Sequence, residues 1–213
     1  MTRPLVISGT DTDAGKTVVA AGLTLCLPHA HYWKPVQSGT SPTTDTASVR
    51  ALTGLPDDRF LPEAYVLQEP ASPHLSARLE GVEITLDRLA LPAIDAPLIA
   101  EGAGGLMVPL NERDLAIDLF ARWGAPVILV ARTGLGTINH SLLSIEALKA
   151  RAIPIGGLIF SGDPHEENQR IIPELSGVRS LGRLPRLASL DTESLRAAMI
   201  AHIDLAAIEA LIA

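Results

Sequence analysis

Gly9-Thr10-Asp11-Thr12-Asp13-Ala14-Gly15-Lys16-Thr17 follows an aliphatic run at 5–8 and leads into a stretch with helical spacing at 17–27. A strand, a tight turn of backbone N–H groups, Gly-Lys-Thr and a helix N-terminus together make a cradle for phosphate. In such a loop the lysine, here Lys16, reaches the terminal phosphates, and the hydroxyl of Thr17 binds Mg2+. Five residues separate Gly9 from Gly15, so Thr10 stands where the first glycine of the usual spacing would. Asp11 and Asp13 would lie close to a polyanion. They need a cationic partner, most simply a metal or a basic substrate, unless they serve turn or capping chemistry.

Working outward, further aliphatic runs occur at 97–100, 127–131 and 155–160, each suited to a strand buried on both faces. Helical spacing recurs at 114–123, 138–151 and 195–212, the last after Asp191-Thr192-Glu193-Ser194, which readily supplies an N-cap. This alternation predicts an α/β fold, a doubly wound, mostly parallel sheet with helices on both faces, of the P-loop NTPase type. One domain over residues 1–213 is expected, with Pro-rich loops at 56–73 and 92–97. Ligands of such folds gather at the carboxyl ends of the strands, so the loops there carry the chemistry.

Composition narrows the partners. Seventeen basic against twenty-four acidic residues argue against nucleic-acid or membrane binding through bulk charge. The single Cys26 excludes an intrachain disulfide framework and a cysteine-based zinc cluster. No apolar run suits a signal peptide or a membrane span, and a cytoplasmic protein is expected. Lysine is scarce, only Lys16, Lys34 and Lys149, so each one calls for a reason.

Lys34 lies in Trp33-Lys34-Pro35-Val36-Gln37-Ser38-Gly39, after a short run at 29–33 that reads as the second strand. There it would place a second positive charge near the γ-phosphate. Thr43-Thr44-Asp45 opens a helical stretch, and Asp45 is either a metal ligand or an N-terminal helix acid. The run at 97–100 ends in Glu101-Gly102-Ala103-Gly104-Gly105, where Glu101 is placed to hold Mg2+ directly or through water. A glycine-hinged loop at 131–140 leads into a helix that Thr137 or a neighbour would cap, with free N–H groups for an anion. His140 reads as helix packing or surface.

Five stretches in order, GTDTDAGKT at 9–17, KPVQSG at 34–39, SPH at 72–74, EGAGG at 101–105 and GLGTINH at 134–140, are similar to those of dethiobiotin synthetases. The resemblance implies an ATP- and Mg2+-dependent carboxylation of 7,8-diaminononanoate with CO2. The product is dethiobiotin, formed with ADP and phosphate through a carbamate and a mixed anhydride. It implies catalytic roles for Lys34 and Lys16, and a metal shell of Thr17, Asp45 and Glu101. Nucleotide contacts carry over to Asp13, Ala14, Gly15, Lys16, Thr17 and Val18, to Asp45, and to Glu101, Gly102, Ala103 and Gly104. At the base end they carry over to Ser161, Gly162, Pro185, Arg186 and Leu187. Substrate contacts carry over to Thr12, Ser38, Ser72, Pro73, Gly136, Thr137, Ile138 and Asn139. The family's homodimer, with the diamine site at the subunit interface, is implied too. Two departures stand out: Asp13 replaces the usual Glu, and Ser161 replaces an Asn that reads adenine.

Two rival readings fit less well. A partitioning or cell-division switch ATPase carries an extra lysine in the loop, where this chain has Asp11. An amide synthase of cobalamin assembly needs a glutaminase domain with a nucleophilic cysteine, and Cys26 lies instead in the helix after the loop.

Overall fold

The computed structural model describes residues 4–212. The strands are β1 (Pro4–Gly9), β2 (His31–Trp33), β3 (Val36–Ser38), β4 (Phe60–Leu61), β5 (Tyr65–Leu67), β6 (Leu98–Gly105), β7 (Val127–Arg132), β8 (Ile155–Ser161) and β9 (Ser180–Leu184). The helices are α1 (Lys16–Cys26), α2 (Asp45–Thr53), α3 (Pro73–Leu79), α4 (Ala116–Trp123), α5 (Thr137–Ala150), α6 (Glu166–Ser176), α7 (Thr192–His202) and α8 (Leu205–Ile212).

Seven strands form one sheet in the order β4-β2-β6-β1-β7-β8-β9, and every pairing in it is parallel. β3 and β5 pair separately, also in parallel. Along β1 the side chains alternate between two apolar layers. Leu5 and Ile7 join residues of α1, α7 and α8, whereas Val6 joins residues of α4 and the Leu148 end of α5. Burial on both faces is why the run reads as continuously aliphatic rather than alternating. The expected doubly wound architecture is therefore the observed one.

Three local expectations need correction, and one strand went unread. The stretch at 195–212 is two helices, because Ile203 turns extended and bridges Gly182, and the Asp204 carboxylate accepts the Ala207 N–H to start α8. The second strand begins at His31, since His29 has a positive φ of 56° and the Ala30 N–H turns back to the Leu27 carbonyl. The Pro-rich region at 56–73 contains two short strands, β4 and β5. β9 escapes an aliphatic reading because Ser180, Gly182 and Arg183 interrupt it, yet it closes one edge of the sheet.

Gly182 is the tight point of that edge. Its φ is +117°, and a Cβ there would collide with the backbone carbonyl oxygen of His202. Only a residue without Cβ lets β9 run so close to the α7–α8 junction.

Candidate active site

Parallel register brings the reactive side chains together. β1 and β6 pair with Ile7 beside Glu101, and β2 and β6 pair with Trp33 beside Ala100. The next residue along each of β2 and β6 is thus Lys34 or Glu101, side by side at the carboxyl rim. α1 starts at Lys16 just beyond the end of β1.

Lys34 is buried, and its ammonium has three acceptors: Asp45 Oδ2 at 2.7 Å, Glu101 Oε1 at 3.1 Å and the Gly102 carbonyl at 3.1 Å. Those three use all the protons an ammonium carries. Burial alone pulls the Lys34 pKa down, but Glu101 and Asp45 outweigh it and hold it above the ordinary lysine value. Lys16 goes the other way. Burial, and then the Lys34 charge, lower its pKa against the pull of Glu101, Asp45 and Asp13. Its ammonium donates to the Asp11 carbonyl at 3.0 Å.

The Thr17 hydroxyl donates to Glu101 Oε1 at 2.8 Å and lies 3.3 Å from Asp45 Oδ1. Two carboxylates and a hydroxyl on one spot are the hard oxygen donors that Mg2+ takes. The donor set fits that ion. Asp45 is also the first residue of α2, capped by Thr44, as the helix-acid reading of it has it. Its backbone N–H donates to Gln37 Oε1 at 3.0 Å, and Gln37 Nε2 donates to the Gly39 carbonyl at 2.8 Å.

Two cavities of about 770 Å³ each open at this rim. The first is walled by Lys16, Thr17, Lys34, Asp45 and Glu101 together with Thr12, Ser38, Ser72, Pro73, Ala103 and Gly104. The second is walled by Ala14, Thr137, Ser161, Gly162, Pro185, Arg186 and Leu187. Asp13 and Val18 belong to both walls. The Arg183 guanidinium donates to the Gly162 carbonyl at 2.8 Å and so ties together the two loops of the second cavity. Ser161 packs against the loop at Gly15, whose φ of +95° and lack of Cβ leave room for the Ser161 hydroxyl.

Several expectations shift. Asp11 has a cation from the protein itself beside it, Arg132 at 2.8 Å. Asp13 is exposed at a positive φ of 55°, in turn geometry. Of Thr137 and its neighbours, it is Gly136 that holds the N-cap position of α5, at φ 89° and without a side-chain cap, while the Thr137 hydroxyl donates to the Arg132 carbonyl. Gly136, Ile138 and Asn139 line neither cavity within one chain. His140 is exposed, as read.

One neighbour of the carboxylates escaped the sequence reading. Tyr32 is fully buried and donates from its phenol to Glu101 Oε2 at 2.8 Å. The available signal was the residue itself, because a phenol in a strand buried on both faces needs a partner.

The family model described as AAA domain matches residues 3–194. The ATP-dependent dethiobiotin synthetase BioD of Brucella anthropi is 58% identical over 205 residues, covering 96% of each chain. The protein of the same name from Rhodopseudomonas palustris is 59% identical over 198 residues, covering 93% of this chain and 92% of that one. The chain belongs to the dethiobiotin synthetase family. It is therefore an enzyme, a ligase. Among solved structures, the Pyrococcus furiosus cell division ATPase MinD aligns with a TM-score of 0.61 at 15% identity, covering 99% of this chain and all of that one. At that identity the likeness is one of fold alone.

Proposed function

We propose that the chain catalyses the ATP- and Mg2+-dependent carboxylation of 7,8-diaminononanoate. One amine takes up CO2 as a carbamate, whose oxygen attacks the γ-phosphorus and releases ADP. The second amine then attacks the carbonyl of the mixed anhydride, expels phosphate and closes the ureido ring of dethiobiotin.

The observation that carries this reading is the buried Lys34 ammonium beside Glu101 and Asp45 in the cavity that Lys16 also lines. A carbamate anion has to approach a triphosphate anion, and preorganised cations between them stabilise the transferring charge. Lys34 is assigned to the carbamate and γ-phosphate, and Lys16 to the β- and γ-phosphates. Thr17, Asp45 and Glu101 are the residues that would hold Mg2+, which when bound neutralises part of the triphosphate charge. Ala14, Gly15 and Val18 line the phosphate path, Gly102, Ala103 and Gly104 its far side, and the second cavity takes the base. Thr12, Ser38, Ser72 and Pro73 face the diamine. Ser38 Oγ is buried with no hydrogen-bond partner among the described residues, which suits a hydroxyl awaiting a ligand.

The carboxylate of the diamine is assigned to Gly136, Thr137, Ile138 and Asn139 of a second subunit in a homodimer. An apolar groove beside Thr12, with Met107 and Leu143 exposed in it, supports that association. At the start of α5 the Thr137 N–H is taken by the Gly134 carbonyl, which leaves the N–H groups of Ile138 and Asn139 to offer. No helix among the described residues is long and apolar enough to cross a membrane. A cytoplasmic location fits a pathway of small soluble reactants.

ATP hydrolysis by the purified protein should rise only when the diamine and bicarbonate are both present. Stimulation by DNA or lipid instead would overturn the reading. Base selection should be relaxed, because the Ser161 hydroxyl offers less than an amide's paired donor and acceptor. The kcat/KM values for ATP, CTP and GTP should differ by less than about a hundredfold, roughly 2.7 kcal/mol. A larger preference for ATP would count against the Ser161 argument.

A further inference from the structure

We propose that Tyr32 is a positioning residue that makes Glu101 a one-oxygen ligand and thereby sets the enzyme's preference for Mg2+. The inference rests on the assignment of Glu101 to the metal shell.

The two oxygens of Glu101 face different surroundings. Oε1 meets Thr17 Oγ1 at 2.8 Å and Lys34 Nζ at 3.1 Å, both residues of the reacting cavity. Oε2 meets the Tyr32 phenol at 2.8 Å, on a side chain fully buried in β2. Tyr32 is held by the core, with its ring edge-on to Phe60 at 6.4 Å between centroids. A phenol bond to one carboxylate oxygen fixes the carboxylate's rotation and leaves the other oxygen to the cavity. The chemistry of the two common hard cations then diverges. Mg2+ demands near-ideal octahedral geometry and is usually held through one or two carboxylates, whereas Ca2+ accepts both oxygens of one carboxylate. The phenol takes one lone pair of Oε2 and holds that oxygen toward the core, so two-oxygen binding would first have to turn the carboxylate out of this bond. Losing an outer partner of this kind typically costs about 10–100-fold in metal affinity.

The test is equilibrium binding of ADP titrated with Mg2+ or with Ca2+, for wild type, Tyr32→Phe, Glu101→Gln and the double variant. Tyr32→Phe should raise the Mg2+ concentration for half-maximal binding about tenfold, and leave the Ca2+ value unchanged or lower. In the Glu101→Gln background the same substitution should add nothing. Unchanged values for both ions in Tyr32→Phe, with Glu101→Gln altered, overturn the Tyr32 role. A shift equal for both ions overturns it too, since that marks a merely structural effect. If Glu101→Gln also leaves the metal dependence unchanged, the assignment of Glu101 to the metal fails first, and this inference falls with it.

A second measurement avoids the substitution. Tyr32 and Tyr65 are the chain's two tyrosines, so 3-fluorotyrosine labelling gives two signals, assigned with Tyr65→Phe. The Tyr32 fluorine resonance should move on adding Mg2+ to the ADP-bound protein. A resonance that stays still overturns the proposal.

Discussion

Lys34→Ala should lower kcat by about 10²–10³-fold, the cost of losing one preorganised charge donor at a transition state. Nucleotide affinity should stay nearly intact, because Lys16 and the loop backbone remain. Steady-state kinetics at saturating ATP, paired with a nucleotide titration, separates the two effects. Lost ATP binding with normal turnover at saturation would mean Lys34 has the wrong role. A second consequence follows from burial. Without the ammonium, Glu101 and Asp45 are left as neighbouring carboxylates, and breaking a buried pair of this kind costs about 3–5 kcal/mol. The variant should therefore melt well below wild type in metal-free buffer and recover most of the loss in Mg2+. The pH behaviour follows from the sign of the shift. A lysine whose folded pKa is raised contributes stability that is full below its unfolded pKa and fades as pH rises through the folded one. Lys34 thus stays charged throughout the neutral range, and wild-type turnover should show no inflection from it there.

Gly182→Ala should be the most destabilising single-methyl substitution away from the site. The new Cβ meets a backbone carbonyl that cannot rotate away, at a φ of +117° that L-residues rarely adopt. A loss of about 3–5 kcal/mol is expected, in the range reserved for strained backbone and overpacked cores. Urea unfolding checks it; a loss under about 1 kcal/mol would show that the β9 edge can yield. Leu184–Leu187 follows directly and walls the second cavity, so nucleotide binding should weaken along with stability.

The fold was legible because its strands are buried on both faces and so announce themselves as short aliphatic runs. β1, β6, β7 and β8 read that way, and each begins within a residue of its predicted start. β9 and the α7–α8 break were not legible, since both depend on each other: Ile203 is extended because Gly182 is there to pair with it. No local periodicity encodes that contact. At the site, Lys16, Thr17, Lys34 and Glu101 carried a signal as charged or hydroxyl groups in or beside Gly- or Pro-bearing loops, and Asp45 as an acid opening a helix. Arg132 and Tyr32 carried none as pairs, because Asp11 and Arg132 lie 121 positions apart and Tyr32 and Glu101 lie 69 apart. Which buried polar group finds which is decided by strand register, and register is a property of the folded sheet.

The shared wall of the two cavities has a practical meaning. Only Asp13 and Val18 belong to both linings, so the base loop at 185–187 is set apart from the reacting groups, whereas Ser161 also packs against the phosphate loop at Gly15. A catalyst laid out this way can alter its taste for one nucleobase over another while its phosphoryl-transfer machinery goes untouched, and natural drift or laboratory evolution can work on either compartment alone.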